Sequence, residues 1–266
     1  MTDPLHPFDQ ALHFTLDDGR FHGRTSAAYA NVIGPFGGIT AAAMIKACIE
    51  HPEAHGEPIT LTVNFAAAVQ NGPFELEARP TKTGRSTQHW FVQMVQGDEV
   101  VTTATAVFAT RRETWGATDL QFPKLPAEAA PFATNMMPPW AQNYQFRMVG
   151  EMQDFIQRDR TDAQTLNSIQ DSPPRPLDVP ALTAMADAFP PRILIRRAKL
   201  VPMGTVAFTI YYHADAAALA AHGTAEVIGH ARANRYYNRY FDQSAELWTP
   251  DGTLLATTTQ IVYFKE

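Results

Sequence analysis

Asp187 lies in Ala181-Leu-Thr-Ala-Met-Ala-Asp-Ala-Phe189, a helix-like run in which only Thr183 and Asp187 are polar. A carboxylate in a helix that is apolar on every side does not face solvent, so it must be hydrogen-bonded or used. Desolvation pushes its pKa toward the range of a general base. Two readings stand: a structural acid held by Thr183 or a loop amide, and a base that activates water. Gln260 stands in a β-branched run, Leu254-Leu-Ala-Thr-Thr-Thr-Gln260. Its amide can hold a water through both oxygen and NH2; the plain alternative is a solvent-facing Gln on a half-exposed strand. Phe36-Gly-Gly38 opens an apolar helical run. Glycines there let a carbonyl approach backbone N–H groups, where the helix dipole favours developing negative charge. They equally permit close packing of helix on sheet. A carboxylate, an amide and a glycine turn are parts suited to attack of water on a carbonyl.

The elements that must position these groups occur twice. Ile59–Phe65 and Val100–Phe108 in the first half match Val206–Tyr212 and Leu255–Tyr263 in the second, Phe65 with Tyr212 (offset 147, 212 − 65) and Phe108 with Tyr263 (offset 155, 263 − 108). The second copy thus gains 8 residues (155 − 147), in or near the Ala-rich stretch Ala214–Ala221. On this alignment Thr105 is the repeat partner of Gln260, and the first copy has no comparable amide. A repeat of this length is a whole supersecondary unit used twice. The first copy's helix, Ile39–Ile49, carries no acid, which predicts one site per chain.

Each half reads as one buried helix followed by antiparallel strands, an α+β pattern in which a sheet wraps a helix. In the first half Phe14–Arg24 predicts a hairpin around Asp18-Gly19, and Phe74–Pro80, Gln88–Val95 and Val100–Ala109 predict strands. In the second, Tyr144–Val149 and Thr165–Ile169 predict strands. Asp178 with Pro180 starts a helix over Val179–Phe189 that Pro190-Pro191 ends. Strands follow at Thr205–Tyr212, Thr224–Ala233, Tyr236–Thr249 and Thr253–Phe264. Prolines gather between Trp115 and Trp140, which reads as an irregular connector. The expected units are 1–114, a connector 115–143, and 144–266.

Composition fits a soluble globular chain, with 45% hydrophobic and 18% charged residues. The net charge of −6 and the absence of basic runs argue against nucleic acid or an anionic membrane as partner. The single cysteine, Cys48, excludes an internal disulfide and reads as a small core residue. No Cys/His spacing suggests a metal. The opening Met1-Thr-Asp-Pro-Leu-His-Pro7 lacks the pattern of a signal peptide, so the expected location is cytoplasmic.

Phe36-Gly-Gly38, Pro173-Pro-Arg-Pro-Leu-Asp178 followed by Ala186-Asp187, and Leu254–Gln260 together resemble the thioesterase II-like acyl-CoA thioesterases. The likeness runs from Phe14 to Phe264, with Trp115–Trp140 unmatched. It implies a double hot-dog fold, two tandem repeats each wrapping a curved antiparallel sheet around a helix. It also implies an activity, hydrolysis of an acyl thioester by a water held by Asp187, Thr205 and Gln260. Thr205 is placed by register relative to Tyr211-Tyr-His213. The resemblance sets Asp187 across a pseudo-two-fold from Phe36-Gly37-Gly38, whose amides polarise the carbonyl. It places the Gly84-Arg85-Ser86 turn near the pantetheine path, making Phe36, Arg85 and Ser86 substrate-binding candidates. Arg85, Arg111 and Arg112 are candidates for contact with a phosphate, against the plain reading of each as a surface arginine. His213 reads as structural. The aromatic set Tyr236, Tyr237, Tyr240 and Phe241 reads as sheet packing or acyl-tunnel lining. No cofactor is expected beyond coenzyme A as part of the substrate, and homo-oligomers are expected, as hot-dog sheets often pair. Two rivals remain. A hot-dog hydratase uses an Asp with a His five residues on, whereas Asp187 is followed at that spacing by Arg192. A non-catalytic acyl-CoA-binding or scaffold protein would keep the fold and lose part of the triad.

Overall fold

The computed structural model describes residues 5–149 and 159–266; the first four residues of the opening segment considered for a signal peptide lie outside them. The strands in chain order are β1 Thr15–Asp17, β2 Arg20–Arg24, β3 Glu57–Phe65, β4 Pro73–Thr83, β5 Thr87–Gln96, β6 Glu99–Ala109, β7 Ala130–Pro131, β8 Tyr144–Met148, β9 Thr165–Asp171, β10 Met203–Tyr212, β11 Val227–Arg232, β12 Tyr236–Tyr237, β13 Tyr240–Trp248 and β14 Leu254–Phe264. The helices are α1 Pro7–Ala11, α2 Gly37–Glu50, α3 Val179–Met185, α4 Arg192–Arg197 and α5 Ala216–His222. The strands form one continuous antiparallel sheet in the order β1-β2-β4-β5-β6-β3-β10-β14-β13-β11-β9-β8-β7, with β12 paired to β13. Apart from β7, which has no counterpart, the order reads as its own mirror about the β3/β10 junction. Helix α2 packs against β3, β4, β5 and β6 and against α3. This is a double hot-dog.

The junction shows where the two-fold lies. Thr62 pairs directly with Thr209, and their hydroxyls meet at 3.1 Å. Their offset of 147 (209 − 62) equals the sequence repeat, so the pseudo-axis passes between these residues. The second offset is corrected by one. Thr62 faces Thr105 on β6, and Thr209 faces Thr259 on β14, an offset of 154 (259 − 105). Gln260 therefore corresponds to Ala106. A slip of one residue exchanges the two faces of a strand. Burial follows the corrected register: Ala106 and Gln260 are buried, whereas Thr105 and Thr259 are not. Helix α5, capped by the Asp215 side chain on the Ala218 N–H, takes up the added residues.

Two other expectations change. The predicted helix over Val179–Phe189 ends at Met185. Its last turn tightens, with the Asp187 N–H bonded to the Ala184 carbonyl three residues back at 3.2 Å. Pro190 and Pro191 have no N–H to continue the ladder, and proline disfavours helical backbone in the residue before it. Asp187 thus stands in a turn at the helix C-terminus rather than within the helix. The predicted strand Tyr236–Thr249 is a hairpin, β12 and β13, turned at Asn238 (φ 47°) and Arg239 (φ 70°). Two positive φ values make this the tight turn usual in hairpins; Arg at such a position gives no composition cue.

The Pro-rich stretch is ordered by packing. Phe122 lies against Trp248, and Trp140 stacks on Phe36 with ring centroids 4.1 Å apart. Phe36 caps α2, so Trp140, 9% exposed, braces the entry to that helix. Trp140→Ala is expected to lower stability by about 3 kcal/mol, the usual scale for emptying a buried aromatic site. Urea denaturation measures this; an unchanged midpoint would show that the stack carries no weight.

Candidate active site

Three residues singled out from the sequence meet at one point. The Gln260 Nε2 donates to Asp187 Oδ1 at 2.7 Å, and the Thr205 hydroxyl donates to Gln260 Oε1 at 3.3 Å. The orientation of the amide is set by its neighbours. An ionised carboxylate only accepts, so NH2 must face Asp187, which leaves the oxygen for Thr205.

Thr205 reaches the cluster through an irregularity in β10. The β10/β14 register shifts between Thr205 and Ala207, so Thr205 faces Val262 and Val206 is the extra residue. Val262 is buried on the inner face, whereas Val206 is 41% exposed. An uninterrupted ladder would have put Val206 opposite Val262. The bulge re-aims one side chain, and here it sets a hydroxyl in place of a valine.

Asp187 also touches the first repeat. A Cβ on Gly37 would lie 2.7 Å from Asp187 Oδ2 and 3.7 Å from the Phe65 ring. A Cβ on Gly38 would lie 2.6 Å from the Ala184 carbonyl oxygen. Both glycines are required by close approach between α2 and the turn after α3. Burial pushes the Asp187 carboxyl up to about 7, against the opposing effects of the Gln260 amide and the Gly38 backbone N–H. The residue keeps part of its surface accessible. A half-open carboxylate near neutrality, set against the N-terminus of α2, suits proton abstraction from a bound water.

A buried arginine, not anticipated from the sequence, holds the turn. Arg192 is fully buried and donates to the carbonyls of Pro190 (Nε, 2.9 Å) and Ala163 (2.8 Å) and to the Thr165 hydroxyl (2.8 Å). Its acceptors are neutral, and burial lowers its pKa to about 9. It occupies the position five residues after Asp187 where the hydratase pattern has His, and it faces the protein interior rather than the carboxylate. The available cue is a basic residue between Pro-Pro and the apolar Ile193-Leu-Ile195.

Other candidates lie elsewhere. Arg85 and Ser86 do not join the cluster. Their turn bonds to Thr110 beside the Glu57 end of β3, whereas Gly37 adjoins Phe65 at its other end. Eight residues of strand separate these ends, about 26 Å at the usual rise. Arg111 is engaged by the carbonyls of Tyr212, His213 and Ala214 and pairs with Glu57 at 3.5 Å. It joins the two repeats, while Arg112 is exposed. His213 bonds the Thr257 hydroxyl at 3.0 Å, and burial lowers its pKa, with Arg111 adding to the effect. Among the described residues no His, Cys, Asp and Glu gather as metal ligands, and no helix is long and apolar enough to cross a membrane.

Comparison with known proteins follows the same lines. The family described as the acyl-CoA thioesterase C-terminal domain matches residues 120–264, and the acyl-CoA thioesterase N-terminal domain matches residues 26–109. The chain belongs to the acyl-CoA thioesterase family. The C-terminal match begins at residue 120, so most of the Pro-rich stretch, expected to be unmatched, falls within this family's second domain. A hot-dog protein of unknown function from Alicyclobacillus acidocaldarius is 47% identical, with 99% of each chain covered and a TM-score of 0.94. A protein provisionally described as thioesterase II from Thermobifida fusca YX is 17% identical over 99% of each chain, TM-score 0.84. The acyl-CoA thioesterase II of Mycobacterium marinum is 15% identical over 97% of this chain and 98% of its own, TM-score 0.77. The last two are likenesses of fold. No curated protein matches the chain.

Proposed function

We propose that this thioesterase-family protein hydrolyses acyl-coenzyme A. The observation that carries the reading is the Thr205–Gln260–Asp187 chain of hydrogen bonds set against the first turn of α2. Asp187 takes a proton from water as the water oxygen bonds to the thioester carbon. Gln260 and Thr205 fix the carboxylate and the water. The carbonyl oxygen gains the negative charge, and the N-terminus of α2 favours it. The Gly38 N–H already stabilises Asp187, and the oxyanion takes the N–H of the adjoining Gly37, which has no acceptor within the helix. Collapse of the tetrahedral intermediate breaks the C–S bond. The proton on Asp187 passes to the departing sulfur, releasing acid and thiol and restoring the carboxylate. Ala106 replaces Gln260 at the related place in the first repeat, in keeping with one site per chain.

The test is thiol release from a panel of acyl-CoAs across pH. Water activation needs the ionised carboxylate, so kcat/KM should rise with pH through about 7, the value to which burial pushes Asp187. The Gln260 hydrogen bond lowers that pKa, so Gln260→Leu should move the limb to higher pH as well as slow the reaction, by about a hundredfold for a lost positioning group. No thiol release from any thioester would sink the hydrolase reading.

A further inference from the structure

One buried polar cluster is unused by this chemistry. Tyr29 ends the short 3₁₀ turn Ala27–Tyr29 in the first repeat. Tyr144 and Asp171 face each other across β8 and β9 in the second, and Arg175 follows in the loop that leads to α3. The rings of Tyr29 and Tyr144 meet edge to face with centroids 6.3 Å apart, and Phe8 of α1 meets Tyr29 in the same way at 5.9 Å. The Arg175 guanidinium lies over the Phe8 ring at 4.9 Å. Tyr29, Tyr144 and Asp171 are 0%, 3% and 2% exposed, so bulk solvent does not satisfy their polar atoms.

The polar atoms here are left over by the protein itself. The Tyr29 and Tyr144 hydroxyls, both Asp171 carboxyl oxygens and Arg175 Nη1 have no well-formed hydrogen bond to any protein group. The two hydroxyls are neighbours, and both lie in the field of Asp171 and Arg175. Arg175 directs its other terminal nitrogen elsewhere: Nη2 donates to Asp9 at 2.9 Å and to Asp178 at 2.7 Å. A buried polar group without a partner costs more than an ordinary hydrogen bond contributes. Several in one place call for a guest that satisfies them together. Their chemistry selects it. A carboxylate only accepts, a guanidinium only donates, and a phenol does both. An anion is repelled by Asp171 and a cation by Arg175. The guest must be neutral, able to donate and to accept, and small enough for a packed interior, which describes water.

We propose that Tyr29, Tyr144, Asp171 and Arg175 form an internal water-binding site, in which bound water joins the Asp171 carboxylate to Arg175 Nη1 and to the two hydroxyls. A buried water makes about three hydrogen bonds, so one or two such molecules serve the whole cluster. The site is composite, with Tyr29 from the first repeat and the other three groups from the second. Asp178, held by Arg175, accepts from the Ala181 N–H at 2.8 Å and so caps α3. The water therefore links the end of β9 to Arg175, and through Arg175 to the start of α3 and, by way of Asp9, to α1. The inference stands apart from the hydrolase reading, because its groups are not those of the Asp187 site.

Two measurements test this: scanning calorimetry of Tyr29→Phe and Tyr144→Phe, singly and together, and a crystal structure of the unaltered full chain at atomic resolution. Each substitution removes one hydroxyl and keeps the packed ring. If water holds the hydroxyls, each loss should lower the melting temperature by about 3 °C. The double variant should fall by less than the sum, because the two hydroxyls share a guest. If instead the hydroxyls have no partner, phenylalanine relieves a buried polar group and the melting temperature rises; a rise in both single variants would overturn the site. The crystal structure is expected to show ordered water within hydrogen-bonding distance of Asp171 and of at least two groups among Arg175 Nη1 and the hydroxyls. A direct bond between Arg175 Nη1 and Asp171, an ion in the water's place, or no ordered density among these groups would each defeat the assignment, whatever the melting temperatures do.

Discussion

Asp187→Asn is expected to lower kcat for acyl-CoA hydrolysis by about a thousandfold, within the range lost when a general base is removed, and to raise stability at pH 8. The two effects share one cause. Burial pushes the Asp187 carboxyl up to about 7, against about 3.9 for an unperturbed Asp. Between those values the folded chain binds more protons than the unfolded chain, so this group makes stability fall as pH rises. The cost is absent below about pH 4, grows through about pH 7 and is complete above it, amounting to roughly 2–4 kcal/mol at pH 8. Asn keeps the shape and an acceptor for Gln260 while removing the charge. It cannot also accept from Gly38, so only part of the cost is recovered, and a rise in melting temperature of about 5 °C is expected. Differential scanning calorimetry at pH 5 and pH 8 checks the sign: the variant should gain over the unaltered protein at pH 8 and show little difference at pH 5. Full turnover in Asp187→Asn would mean that another group activates the water. Loss of turnover together with loss of stability at both pH values would mean that the carboxylate is structural. Asp171, also buried and pushed up to about 7 by desolvation, contributes the same slope and stays behind in the variant, so the pH dependence should diminish rather than vanish.

Residue type and local composition alone reveal much of this site. Asp187 stands out because an acid among Ala, Leu and Met has no solvated face to occupy. Gln260 stands out because the other repeat has no amide in that strand. Both inferences survive the corrections to their setting, since they depend on residue type and burial rather than on exact boundaries. What the sequence hides follows from backbone irregularity. The bulge at Val206 turns Thr205 inward, and nothing in Met203-Gly-Thr-Val-Ala207 signals an extra residue. The Asn238-Arg239 turn needs two positive φ values without a glycine. The tightened end of α3 depends on prolines three and four residues beyond Asp187, which a helical periodicity does not register until after the helix has already stopped. The one-residue error in the Gln260 equivalence comes from aligning Phe108 with Tyr263. In the structure Pro58 faces Phe108 as Thr205 faces Val262, beside matching register shifts in the two repeats, so the counterpart of Phe108 is Val262 and the match of aromatic to aromatic is one residue out. Arg192 escapes detection for another reason: charged residues are read as surface, and only the backbone carbonyls around it make its burial tolerable.

Gly37→Ala tests whether the two repeats form one composite site. The substitution adds a methyl group at a helix start, where the backbone is ordinary and Ala is intrinsically preferred to Gly. Helix propensity alone therefore predicts a small gain in stability. The added carbon, however, would lie 2.7 Å from Asp187 Oδ2, with the Phe65 ring at 3.7 Å. Since α2 is packed along most of its length, the carboxylate is the group that moves. Displacing it by about 1 Å is expected to cost about a hundredfold in kcat/KM, in a variant that folds normally by circular dichroism and thermal melting. The neighbouring Gly38→Ala should differ. Its methyl would meet the Ala184 carbonyl oxygen at 2.6 Å and the Phe36 ring, both parts of the packed interior, so its main effect should be lost stability. Combining Gly37→Ala with Asp187→Asn separates steric displacement from every other explanation. If the first repeat acts on catalysis through the Asp187 carboxylate, Gly37→Ala loses most of its effect once that carboxylate is gone, and the two losses do not add. Fully additive losses would instead mean that the added methyl group crowds the bound thioester itself, and would leave Asp187 positioned by the second repeat without help from the first.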